Sequence, residues 1–231
     1  MSLPPLNWAE TEAEPVVAVA TIPWEDPDLP LVSAWWRTAF QIIRRPQQFF
    51  RQLPLQGGLA DPLGFALLLG SLGLWASLCW QLLWPEATSG LILSRILENL
   101  TEQQANPLVL VGFFFLIPLV VVGEQFFLSL LLAAAGKLVK RDFTFEGAFR
   151  LLAYSNAAFI FNLIPWVGFW LGSLYHFVLL IKGFYYSQSF SLWQILGVLL
   201  LTLVMQTVIF LLVLLLAGVW IFWSFWSLLL S

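Results

Sequence analysis

The chain has 231 residues, 60% hydrophobic and 10% charged, with a mean hydropathy of +0.87 and a formal net charge of −3. So few polar side chains cannot cover that apolar surface in water, which excludes an ordinary soluble domain and makes lipid the solvent. Its single cysteine, Cys79, also excludes an intrachain disulfide and a cysteine-based metal site.

Residues Met1 to Pro30 hold six prolines and six acids (Glu10, Glu12, Glu14, Glu25, Asp26 and Asp28) and no lysine or arginine. A segment this polar and proline-rich is expected to be a disordered or extended acidic tail. Its longest apolar piece, "PVVAVATI", is short and acid-flanked, unlike a signal peptide with its basic leading region. The first spanning helix is therefore expected to act as the signal anchor.

The next stretch, residues 31 to 54, reads "LVSAWWRTAFQIIRRPQQFFRQLP". Trp35, Trp36, Ala39, Phe40 and Ile43 recur at helical spacing opposite Arg37, Gln41 and Arg44, the pattern of an amphipathic interfacial helix. Ser33 is a candidate N-cap, and Pro46 restricts Arg45 and should end or bend the helix there. Lying on the membrane, the helix would bring Trp35, Trp36, Arg37, Arg44, Arg45 and Arg51 to the surface, the arginines meeting anionic headgroups at roughly 1 kcal/mol each. Packed on the bundle, its arginines would only set topology.

The remainder, residues 55 to 231, is expected to form one transmembrane domain. A hydrocarbon core of ~30 Å takes ~20 apolar residues, and the sequence offers Pro62–Trp84 as the first span. Pro107–Gly136 is the second, long enough to tilt, kink or protrude, with Pro118 and Glu124 inside. The uncharged run Leu151 to Ile181 is either one overlong helix or, read through the "IPWVGF" break, a third span (Leu151–Ile164) and a fourth (Val167–Gly183) joined by a tight turn. Leu192–Gly218 is the fifth, and the following "VWIFWSFWSLLLS" is too short to cross again, so Trp220, Trp223 and Trp226 are expected to form an aromatic belt.

The fold class expected is thus all-α and polytopic, five transmembrane helices preceded by the interfacial helix. Basic residues support that threading, because Lys and Arg concentrate in cytoplasmic loops. With the N-terminus inside, five spans put nine of the ten on the cytoplasmic side: Arg37, Arg44, Arg45, Arg51, Lys137, Lys140, Arg141, Arg150 and Lys182. Four spans put eight there, which fixes the first half of the threading better than the second. Arg95, among Glu86, Glu98 and Glu102, is the exception.

Several motifs in order carry a resemblance. "RRPQQFFRQLP", then "GGLADPLGFALLLGSLGL", then "GKLVKRDFTFEGAFRLLAYSNAAFIFNLIPWVGFWLGSLYHFVLLIKGF" resemble the Yip1 domain family of five-span membrane proteins, above all its bacterial members, over roughly residues 40 to 185. Pro46 to Phe50 matches a P-x-x-F-F pattern, Ala153 to Ala157 an A-Y-S-x-A pattern and Ile164 to Gly168 an I-P-x-V-G pattern; "TIPWED" resembles the stretch preceding such domains. Many relatives have Pro where this chain has Ala158, and the Cys-rich metal ribbon that begins some bacterial members is absent. The resemblance implies a bacterial cytoplasmic membrane protein, and the five-span threading puts its N-terminus inside and its C-terminus outside. Eukaryotic relatives contact Rab-type GTPases, but their motifs are echoed only faintly by "GLADPLG" and "AYSNAA", and that interaction is not carried over.

Polar groups inside the apolar runs are the remaining site candidates, because an ionisable side chain in lipid is costly. Glu124 follows Pro118 by six residues, and its candidate partners are His176 and Tyr154. A carboxylate and a histidine in contact can exchange a proton; the other reading is that Glu124 bonds a neighbour and holds helices together. In an α-helix Tyr154, Ala158 and Asn162 share one face while Asn156 points elsewhere, a stripe suited to helix packing through small residues and amides. Gly70, Gly73 and Ser77 form a similar small-residue face.

One His, one Cys and no H-E-x-x-H, G-x-S-x-G or phosphate-loop motif leave the usual enzyme chemistries without their parts, so neither enzymatic activity nor a cofactor or metal is expected. The few arginines lie beside the bilayer, and nucleic acid is not an expected partner. Two functions remain. One is a non-enzymatic protein that organises or tethers membrane or protein partners through its N-terminal helix and tail. The other is a small transporter or channel, proton-linked through Glu124 and oligomeric, since five short helices enclose little space.

Overall fold

The computed structural model describes residues 22–84 and 107–230. The acids Glu10, Glu12 and Glu14 and the stretch holding Glu86, Arg95, Glu98 and Glu102 lie outside them. Among the described residues every regular element is helical. A single 3-10 turn, Pro23–Glu25, precedes α1 (Leu31–Arg44), α2 (Pro46–Gln52), α3 (Ala60–Leu83), α4 (Pro107–Val139), α5 (Phe145–Ser155), α6 (Gly168–Gln188) and α7 (Leu192–Leu230). A second 3-10 helix, Asn156–Leu163, continues α5 directly.

Three helices are long and apolar enough to cross a membrane, through Ala60–Gln81 of α3, Phe114–Val139 of α4 and Leu192–Trp220 of α7. Pro118 sits inside α4 without ending it. The belt residues Trp220 and Trp223 belong to α7, which runs on past Gly218 as one helix of 39 residues, and both are 71% exposed.

The Leu151 to Ile181 run is a hairpin of two helical arms. Pro165, Trp166 and Val167 turn the chain between them, with Trp166 at φ 64°, a left-handed conformation that lets the chain reverse in so few residues. One arm lies along α3 for nearly its whole length. Near its start Glu146 accepts hydrogen bonds from the backbone N–H groups of Gly57 (2.7 Å) and Gly58 (2.6 Å), just before α3 begins. Near its end Trp80 Nε1 donates to the Asn162 carbonyl at 3.0 Å, and the Trp84 and Trp166 rings meet edge-on at 5.9 Å. Lys140 Nζ donates to Gln188 O at 2.7 Å, so α6 returns to the end from which α5 set out.

Close approach requires small residues at the crossings. A Cβ on Gly70 would lie 2.8 Å from Val121 Cγ1 of α4, and one on Gly73 would lie 2.8 Å from Phe159 Cβ, so the predicted small-residue face of α3 is used against two neighbours. A Cβ on Gly168 would overlap the Phe161 carbonyl oxygen.

The N-terminal segments depart from expectation in three respects. Helix α1 starts at Leu31, and the Ser33 hydroxyl donates to Pro30 O (2.9 Å), so Ser33 does not cap it. Its buried face is Ala34, Thr38, Ala39 and Ile42, with Trp35 half-buried on the core, while Trp36 and Phe40 stack on each other in the open. The helix is packed on the bundle, because small side chains at 34 and 39 let it approach where Trp36 and Phe40 would hold it off. It breaks at Arg45, before Pro46, as the proline dictates. Finally, the disordered-tail reading of Met1–Pro30 does not hold for Ile22 to Glu25. Ile22 is buried, and Trp24 is fastened by its backbone N–H to Thr38 Oγ1 (2.9 Å) and by Nε1 to Asp61 O (2.6 Å).

The glycine crossings make a paired prediction. Gly168→Ala should destabilise the protein by about 1–3 kcal/mol, the usual cost of overpacking, because the obstructing atom is backbone. Gly197→Ala, with open space around its would-be Cβ, should be neutral or stabilising by up to about 1 kcal/mol through helix propensity. Thermal unfolding in detergent, followed by circular dichroism, separates the two.

Candidate functional site

Two buried polar centres occupy the bundle. The first is a cavity of about 240 Å³ between α3, α4, the 3-10 arm and α6. Its polar lining comprises Glu124 and Gln125 of α4, Asn156 and Asn162 of the 3-10 arm, and Ser173 and His176 of α6. The reason both asparagines reach it is the 3-10 winding. Three residues per turn align positions i and i+3, so Asn156, Phe159 and Asn162 fall on one face, and all three line the cavity. This corrects the α-helical stripe of Tyr154, Ala158 and Asn162 in which Asn156 pointed away.

The amides form a short relay. Asn156 Nδ2 donates to Gln125 Oε1 (3.3 Å), and Gln125 Nε2 donates to the Phe149 carbonyl (3.1 Å). Asn162 Nδ2 reaches Gly73 O only at 3.5 Å, while its buried Oδ1 has no hydrogen-bond partner among the described residues. His176 Nδ1 lies 3.1 Å from the Ser155 carbonyl, which only accepts, so Nδ1 carries the proton and Nε2 is the unprotonated nitrogen. The Phe159 ring lies parallel to the imidazole at 5.1 Å and fixes its plane. Glu124 is exposed in the isolated protein while lining the cavity, which puts it at the rim.

Glu124 and His176 are thus brought to one cavity, and Tyr154 is not. Tyr154 belongs to the second centre, caged by Phe49 and Phe65 with ring centroids 5.3 and 5.2 Å away. Its hydroxyl donates to Glu25 Oε1, and the same oxygen accepts from Arg150 Nη2 in an ion pair. Arg150 is wholly buried; its Nε donates to Pro54 O (2.7 Å) and its Nη1 to Gly58 O (3.0 Å). The positive φ of Gly57 (140°) and Gly58 (93°) turns the chain there so that one strand of backbone offers N–H groups to Glu146 and a carbonyl to Arg150.

Counting Arg150 among the loop cations therefore mistook its place. It lies within α5, and its charge is answered inside the protein. The "TIPWED" motif and the isolated Arg in "EGAFRLL" were the available signals, but nothing in their spacing of 125 residues joins them.

The arrangement defines an all-helical integral membrane protein with a polar cavity in its bundle and a clasp formed by the segment preceding α1. The model of the Yip1 domain matches residues 40–215, and the chain belongs to that family. No curated protein and no solved structure matches it.

The clasp carries its own test. Glu25→Gln should destabilise the protein by about 2–4 kcal/mol, toward the lower part of what removing one partner of a buried pair costs, since Arg150 keeps two carbonyls. Tyr154→Phe, which removes one hydrogen bond to a charged group, should cost about 1.5–3 kcal/mol. Thermal melts of the purified full chain check both.

Proposed function

We propose that this chain is a small membrane transporter or channel subunit in which the cavity receives a small polar solute and Glu124 and His176 are its proton-exchanging groups. The observation that carries the reading is that the acid within α4 and the single histidine of the chain line one cavity. At about 240 Å³ the space suits a solute smaller than a drug-sized ligand.

On this reading the hairpin supplies the third and fourth crossings. Its arm runs from the Gly57–Gly58 turn to Trp80 and Trp84, the same depth as α3. The chain then sits in a bacterial cytoplasmic membrane with its N-terminus inside and its C-terminus outside. A re-entrant hairpin would leave α3, α4 and α7 oriented the same way, because either path returns to the side it left. On this reading only protons and a solute change place, and the role is non-enzymatic. The organising or tethering alternative would use the N-terminal tail and the open residues Trp36 and Phe40 of α1, whereas Ala34, Thr38, Ala39 and Ile42 of that helix are already packed on the bundle.

In protein reconstituted into lipid, infrared difference spectra should contain a carboxyl band that responds to bulk pH and disappears in Glu124→Gln. His176→Gln should shift the pH at which that band changes. A carboxyl band indifferent to bulk pH and to His176→Gln would sink the proton-exchange reading and leave Glu124 a structural group.

A further inference from the structure

A second recess lies apart from the cavity, where α2 and the break before it meet α6. Arg44, Arg45 and Arg51 line it together with Lys182, 131 positions beyond the last of them, and Gln47 and Gln48 add amides. Its volume of about 560 Å³ is polar over much of its wall, and no carboxylate contributes. Among the described residues the one ion pair is that of Arg150 with Glu25, so no acid there pairs with any of these four cations.

Two of the four are held in place by rings. The Arg44 guanidinium lies 4.1 Å from the centre of the Phe40 ring, and that of Arg51 lies 5.0 Å from the Tyr186 ring. Stacking restrains a long side chain while its N–H edges stay available, and a guanidinium fork fits the oxygens of a phosphate. Four like charges lining one recess with no carboxylate in its wall repel one another, a cost that an anion sharing the space relieves.

The surroundings say which anion. Trp36 and Phe40 stack at 5.4 Å beside Arg44, and Trp36 is 48% exposed, so an open aromatic surface adjoins the charged one. A free phosphate has no use for that surface; a phospholipid lays its acyl chains there with its headgroup among the cations. The geometry points to a binding site for the phosphate headgroup of one anionic phospholipid, formed by Arg44, Arg45, Arg51 and Lys182. Unlike general attraction along an amphipathic helix, the site needs Lys182 of α6 and does not use Arg37.

The full chain in neutral detergent, titrated with phosphatidylglycerol or phosphatidylcholine and examined by native mass spectrometry, tests this. Phosphatidylglycerol should occupy one site in preference to phosphatidylcholine. Neutralising one cation should weaken binding about five-fold, and Arg45→Gln with Lys182→Gln about 25-fold, from roughly 1 kcal/mol per cation near a lipid headgroup. Arg37→Gln with Lys137→Gln, both outside the recess, should change it less than two-fold. Equal weakening by the outside pair would show diffuse attraction and overturn the site. Displacement of the lipid by inorganic phosphate at low millimolar concentration would assign the recess to a free phosphate and overturn the lipid. Unchanged melting temperatures verify that the variants are folded.

Discussion

The 3-10 stretch Asn156–Leu163 is the constraint on which the bundle depends. It is pressed between α3 and α6 at distances that only glycine permits, with Phe159 against Gly73 and the Phe161 and Asn162 backbone against Gly168. A 3-10 helix rises about 2.0 Å per residue against 1.5 Å in an α-helix, so this arm reaches the far end of α3 with fewer residues than α3 uses. The same winding puts Asn156 and Asn162 on one face. Length and polarity of the arm are therefore two results of one change in helical period, and the cavity is the space left where that face meets Glu124 and His176.

At the other end of the bundle the organising group is Arg150. A wholly buried guanidinium needs its donors satisfied, and it recruits Glu25 from before α1 and carbonyls from the turn before α3. Three separate stretches of chain thereby meet at one side chain. Glu146 pins the same turn from the first helical turn of α5, so the α2–α3 connection is held by one cation and one anion five residues or fewer apart. The clasp and the cavity are adjacent in sequence, since Tyr154 serves one and Ser155 and Asn156 the other.

Much of the architecture was legible because lipid imposes long apolar runs. The helices α3, α4 and α7, the break at Pro46 and the turn at Pro165 to Val167 all follow from local residue chemistry. Of the site, Glu124, His176 and the two asparagines were legible as polar groups out of place, while their convergence was not. The stripe assigned to Tyr154, Ala158 and Asn162 failed because it assumed 3.6 residues per turn, and nothing in "NAAFIFNL" announces a tighter winding. Helix α1 misled for a related reason. Periodicity shows that two faces differ, but small residues at 34 and 39, rather than the large aromatics, decide which one approaches the bundle.

The sequence by itself determined the solvent, the class of secondary structure, the order of the apolar helices and the inventory of polar groups inside them. These depend on composition and on near neighbours in the chain. Tertiary structure alone decided the pairings: Glu25 with Arg150 and Tyr154, Glu124 and His176 with one cavity, Lys182 with the arginines of α1 and α2. Each joins residues from different helices, and which faces meet is settled by where glycines allow backbones to touch and where the period changes, quantities that no single segment carries.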